Sequence, residues 1–167
     1  MKEGNISMGY YDGAVICKNG HVINSYARSY PESNSKYCDK CGEITISTCG
    51  NCGADIRGRL QYDGVVDFSD YIEPAYCYAC GRPYPWTERR IEALKEVAEM
   101  SELLSTVEKE EFNANIKDIS VDTPRTKVAA VKVKNLGIKL GKDLWDGVVK
   151  PLIVDIASET AKKTMGL

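Results

Sequence analysis

No stretch of the sequence approaches the roughly 18 consecutive apolar residues that a membrane-spanning helix requires. The longest apolar candidate, residues 148–154, is interrupted by Lys150 and Pro151. The opening segment, MKEGNISMGYYDG, places no apolar run after its lysine, so no secretory signal is expected and a cytoplasmic protein is the default expectation. An excess of charge of one sign is lacking too. The 22 Lys and Arg nearly balance the 24 Asp and Glu, and a net charge of −2 gives no global reason to bind a polyanion. Histidine occurs once, at position 21, and there is no glycine-rich phosphate loop of the Walker or dinucleotide type. Cysteine is absent beyond Cys80, and tyrosine beyond Tyr84.

What is present is concentrated before that point. Seven cysteines fall in residues 1–86, six of them as Cys38-Asp39-Lys40-Cys41, Cys49-Gly50-Asn51-Cys52 and Cys77-Tyr78-Ala79-Cys80. Each C-x-x-C step is followed by glycine (Gly42, Gly53, Gly81), which permits the positive backbone angle that closes a metal-binding knuckle. The seventh, Cys17, stands four residues before His21 with Gly20 between them, so the odd cysteine count becomes an even ligand count. Eight ligands suffice for two four-coordinate zinc ions. Sequential pairing puts Cys17, His21, Cys38 and Cys41 on one ion and Cys49, Cys52, Cys77 and Cys80 on the other. A cross-braced pairing of alternate steps remains open, but sequential pairing lets each site close its own small hairpin subdomain. Val15-Ile16, Val22-Ile23 and residues 43–48 read as short strands beside the knuckles.

Other uses of these cysteines fit less well. Disulfides need an oxidising compartment, and a redox C-x-x-C would follow a strand in a βαβ unit. A catalytic zinc keeps one position open for water, whereas eight ligands for two ions leave none. The H-x-E and P-C-x-x-C pattern of nucleobase deaminases is absent, and no second histidine remains for a general base. No enzyme is expected, an undetected metal-dependent hydrolase being the remaining enzymatic possibility. The ten tyrosines are read as core fillers with wet hydroxyls, because base-stacking platforms are interleaved with basic residues and here Asp55, Asp63, Asp67, Asp70 and Glu73 offset the arginines. The insert 54–76 is the least regular part of the chain, and its acidic half, 63–73, would repel a phosphate backbone.

From Thr87 onward the pattern turns helical. An α+β organisation follows: a double zinc ribbon with short β-hairpins over 1–86, then an all-α region over 87–167. Three helices are expected, at about 88–111 with Thr87 as cap, 124–140 with Thr123 as cap, and 142–165 with Pro151 kinking or restarting it and Gly166 ending it. Ile91, Leu94, Ala98, Ser101, Leu104 and Val107 form the stripe of the first; Leu144, Val148, Leu152, Ile156 and Ala161 that of the last. Val149, Ile153 and Val154 widen the last stripe, which favours self-association or a partner. Residues 91–122 carry three basic and nine acidic side chains, net −6, and residues 123–167 nine and four, net +5. An acidic helix packed on a basic one within the chain is the simplest account.

The runs Tyr11-Asp12-Gly13-Ala14-Val15-Ile16-Cys17, Gly20-His21-Val22-Ile23-Asn24, Lys36-Tyr37-Cys38-Asp39-Lys40-Cys41-Gly42 and Tyr76-Cys77-Tyr78-Ala79-Cys80-Gly81, with Pro83-Tyr84-Pro85-Trp86-Thr87, resemble a bacterial family known as domain of unknown function 2321. The similarity continues at Thr123-Pro124-Arg125-Thr126 and over residues 155–163. It implies a bacterial or phage source and a zinc-ribbon fold, and no particular activity. The expected role is a non-enzymatic adaptor that binds another protein or itself through its helices. Nucleic-acid binding by the basic residues between Arg125 and Lys163 is the alternative.

Overall fold

A computed structural model describes residues 9–62, 64 and 69–167. Asp63 and Asp67, part of the acidic run noted above, lie outside the described residues, as do residues 1–8 of the opening segment. The chain forms two compact units, Met1–Trp86 and Thr87–Leu167.

The first unit is built from strands too short to bury a face on their own. β1 (Tyr10–Gly13) pairs antiparallel with β5 (Arg57–Gln61), Tyr11 opposite Leu60 and Gly13 opposite Arg57. β2 (Val15–Cys17) is the middle strand of a second sheet, between β3 (Val22–Asn24) and β4 (Thr45–Ile46). Ile16 lies opposite Val22 on one side and Ile46 on the other. The core is small: Ala14, Ile16, Ile56, Tyr84 and Trp86 pack with Cys49 and Cys77. β5 crosses within the insert expected to be irregular. Its sequence, RGRLQ, has no β-branched residue to announce a strand. Gly58 makes it possible, since a Cβ there would stand 2.3 Å from the carbonyl oxygens of Gly13 and Ser25.

In the second unit the expected helix 88–111 is two helices. α1 (Pro85–Met100) starts earlier than Thr87 allows, and the chain turns at 101–105 before α2 (Thr106–Ile119). Ser105 makes the break: its hydroxyl accepts the Glu108 N–H while the Glu108 carboxylate accepts the Ser105 N–H, a capping box that starts a new helix. Ile91, Leu94, Ala98 and Leu104 are buried as the stripe requires, but Val107 falls beyond the break and is exposed. α3 (Thr126–Lys139) begins two residues later than expected, after a turn in which the Thr123 hydroxyl accepts the Arg125 N–H.

The segment 142–165 is not one helix either. α4 (Lys142–Leu144) leads into a π-helical turn, Trp145–Val149, and on into α5 (Lys150–Ile156); Ala157 is extended, and Ser158 caps α6 (Glu159–Met165). Pro151 directly follows the π turn, in the first turn of α5, where lacking an N–H it breaks the backbone ladder without ending the helix. The π turn rotates Val149 and Ile153 inward, and neither has any exposed surface, whereas Val148 and Val154 face out. Val149 and Ile153 of the widened stripe therefore serve the unit's own core, while Val154 stays on the surface. Trp145 packs against α3 at Gly137, where a Cβ would come within 2.2 Å of its ring.

Acidic and basic segments do meet inside the unit. Lys132 and Lys139 of α3 pair with Glu111 and Glu108 of α2, and Arg125 pairs with Asp118. Lys139, with the Ser105 N–H behind it, holds the Glu108 carboxyl down at about 2.

Candidate metal centres

The eight side chains come together in two groups, Cys17, His21, Cys38 and Cys41 in one and Cys49, Cys52, Cys77 and Cys80 in the other, with the ligand atoms of each within 4.8 Å of one another. A tetrahedral ion with metal–sulfur bonds of about 2.3 Å has sulfur–sulfur edges of about 3.8 Å, and sulfur–nitrogen edges of about 3.5 Å. Cys17 and Cys41 lie 3.8 Å apart, and Cys49–Cys80 and Cys52–Cys77 are each at 3.7 Å. The His21 Nδ1 is 3.5 Å from the sulfurs of both Cys17 and Cys38. The edges fit a four-coordinate ion, and all are far longer than a disulfide bond of about 2.05 Å.

Local backbone geometry fixes each knuckle. The Gly42, Gly53 and Gly81 N–H groups donate to the carbonyls of Cys38, Cys49 and Cys77 at 2.8 Å, with φ of 71°, 75° and 69° at the glycines. The N–H of each first cysteine closes the loop onto Glu43, Ala54 and Arg82. Each second sulfur accepts a backbone N–H from two residues on: Cys41 from Glu43, Cys52 from Ala54, Cys80 from Arg82. The Cys17–His21 step is a variant, with Gly20 (φ 93°) placed before the second ligand and the His21 N–H donating to the Cys17 sulfur.

One repeated feature was missed by spacing alone. Asn19, two residues after the first ligand of one group, donates its amide to the Cys41 sulfur at 3.4 Å. Asn51, two residues after the first ligand of the other, donates to Cys80. Both asparagines reach the last cysteine of their own group, so the two centres repeat one design.

The thiols are electrostatically divided. The Glu43 N–H, followed by Asn19, brings Cys41 down to about 6. Burial opposes ionisation of Cys77, yet the Ala79 and Cys80 N–H groups bring it to about 6 as well. Cys52 has the Ala54 N–H in its favour but is pushed up to about 12 by desolvation and by the sulfurs of Cys80, Cys77 and Cys49. Burial likewise pushes Cys17 up. Three or four sulfurs this close cannot all carry charge without a cation among them, so each group could hold a metal ion.

Around the centres, only some of the tyrosines fill the core, Tyr84 within it and Tyr71 packed against it. Tyr84 is buried, but Tyr10, Tyr11, Tyr30, Tyr37, Tyr62 and Tyr78 are exposed. The Arg57 guanidinium lies between two of them, 4.6 Å from the Tyr11 ring centre and 3.8 Å from that of Tyr78, and so clamps the third knuckle to β1 and β5.

Asp12 is a further buried charge that the sequence does not mark. Its residue is 1% exposed, and its carboxylate accepts the Gly13 and Arg28 N–H groups at 2.6 and 2.9 Å and the Ser29 hydroxyl at 2.6 Å. Burial raises its proton affinity, but these bonds together outweigh burial and hold it below the usual carboxylate range. Asp12→Asn leaves donors facing an amide and is expected to cost about 1–3 kcal/mol, read from the denaturant midpoint. Because the folded form holds the proton more weakly, Asp12 stabilises the fold above about pH 4, and that contribution is lost as the pH falls below it. The variant should lack this acid-side loss.

Beside Arg28 lies a cleft of about 460 Å³, lined by Asn34, Lys36, Thr45, Ser47 and Asp55 among others. Arg28 is paired there with Asp55.

Among the described residues no helix is long and apolar enough to cross a membrane. Comparison with curated proteins and with solved structures gives no match. Residues 10–165 match the family described as "Uncharacterized protein conserved in bacteria (DUF2321)", and the chain belongs to that family.

Proposed function

We propose that the chain is a non-enzymatic interaction protein whose N-terminal unit is held by two structural zinc ions and which works by binding another protein. The observation that carries this reading is the completeness of both ligand sets: four ligand atoms at tetrahedral spacing leave no coordination position for water or substrate. Zinc suits sulfur-rich tetrahedra of this kind and needs no redox partner. Loss of two ligands should empty one site only. Elemental analysis is expected to give two zinc per chain, falling to about one in Cys17→Ser/His21→Ala. A single ion, or a coloured and redox-active metal, overturns the zinc assignment. Hydrolytic turnover that disappears with the metal overturns the non-enzymatic reading.

The nucleic-acid alternative has lost support. Arg125 and Lys132, two of the side chains it would use on phosphates, are engaged with Asp118 and Glu111. Retention on DNA or RNA at low salt, reversed by neutralising Lys127 and Lys134, would restore it.

A further inference from the structure

α3 is apolar on two opposite faces. Ala129, Ala130, Val133, Leu136 and Leu140 look into the unit, packed against α2, α6 and the π turn. On the far side of the helix, Val128, Val131 and Ile138 are 56%, 48% and 51% exposed. With the exposed Asn135 they stand at positions 128, 131, 135 and 138, the alternating three-and-four spacing of a coiled-coil seam with one polar seam residue. At 3.6 residues per turn this stripe lies diametrically opposite the buried one. A surface helix of a self-sufficient unit needs only one apolar face.

The flanks say what fits there. Lys127 and Lys134 lie along one side of the seam, Lys132 and Lys139 along the other, so every flanking position is lysine. Lys132 and Lys139 are neutralised by Glu111 and Glu108 of α2. Among the described residues, Lys127 and Lys134 make no ion pair, so this flank keeps its charge. An antiparallel second copy of α3 would set Lys127 and Lys134 of one chain against those of the other, and like charges across a seam select against that pairing.

We infer that the outer face of α3 docks an amphipathic helix of another protein, one with an apolar seam and acidic residues along the edge that meets Lys127 and Lys134. This rests on the interaction-protein reading and names its surface and its partner's chemistry. The helix would lie along α3 with apolar anchors near Val128, Val131 and Ile138.

The test uses the full zinc-loaded chain and a synthetic helix of about three heptads, with leucine at the seam, one seam asparagine, glutamate along one edge and glutamine along the other. A control helix carries lysine in place of glutamate. Saturable one-to-one binding of the acidic helix is expected, at least about tenfold weaker for the control and for Val131→Lys or Ile138→Lys. Both variants alter exposed side chains and should keep the helical spectrum and the zinc content. Equal binding of the two helices, or binding of neither, overturns the inference. So does concentration-dependent self-association that Val131→Lys abolishes, or stripe-dependent retention on anionic vesicles. A host protein captured equally well by the chain and by Val131→Lys overturns the inference alone and leaves the interaction-protein reading standing.

Discussion

Stripping the metal from the intact chain is expected to unfold the N-terminal unit while the helical unit stays folded. The first unit has strands of two to five residues and a core in which two of seven buried members are candidate metal ligands. So small a core falls short of the conformational entropy it must offset, and structural metal is the usual remedy. Binding at a structural zinc site contributes roughly 10–16 kcal/mol, comparable with or greater than the whole stability of a small domain. The second unit draws on a core of nineteen buried residues, none of them a cysteine or histidine. Excess chelator should therefore abolish hydrogen-exchange protection at the knuckle amides of Cys38, Cys49 and Cys77, which close onto Glu43, Ala54 and Arg82. Protection in α2 and α3 should remain, and the far-ultraviolet spectrum should stay helical. Cys49→Ser makes the same point at one site: it removes a buried sulfur, and metal content should fall from two to about one per chain. Knuckle amides that stay protected without metal would show that the strands and their core suffice, contrary to this expectation.

How much of this could be read in the residues depends on the range of the interaction. A C-x-x-C-G step is local: its spacing, the following glycine and the loop-closing bonds all lie within six residues, so those six cysteines were identifiable step by step, whereas Cys17 and His21 emerged only from the ligand count. Which step joins which is decided by β2 carrying Cys17 next to β4, a tertiary fact that spacing cannot hold. The helix break at 101–105 had a local signal as well, Ser105 with Glu108 three residues on. It competed with an apolar stripe that continues through Leu104, and the cap prevailed because it satisfies two backbone and side-chain partners at once. Ser158 acts similarly between α5 and α6. β5 had no signal: its pairing depends on Gly58 letting the chain pass close to two carbonyls, and nothing nearby in sequence encodes that. No stripe is read for the helix at 124–140, and only packing tells which of its apolar positions are left uncovered.

Trp86→Ala is the substitution expected to cost the first unit most among those that leave every ligand in place. The indole is 1% exposed and stacks on Tyr84, ring centres 4.7 Å apart and 18° from parallel. Its Nε1–H donates to the Pro74 carbonyl at 3.0 Å, so it also pins the segment leading into the third knuckle. The same core contains Cys49 and Cys77, one sulfur from each knuckle of the second centre. Removing the ring opens a cavity beside both and frees Pro74, at a cost of about 3–5 kcal/mol. Folding and metal binding are one equilibrium in such a unit, so the loss should appear as metal affinity weakened by about two to four orders of magnitude. Competition with a chromophoric chelator measures it directly. Trp86→Phe separates the two contributions. It keeps an aromatic face for Tyr84 but leaves the Pro74 carbonyl without its donor, and should weaken binding less than alanine does. If alanine changes the affinity by less than about twofold, the knuckles alone hold the ion and the aromatic core beneath them is incidental to metal binding.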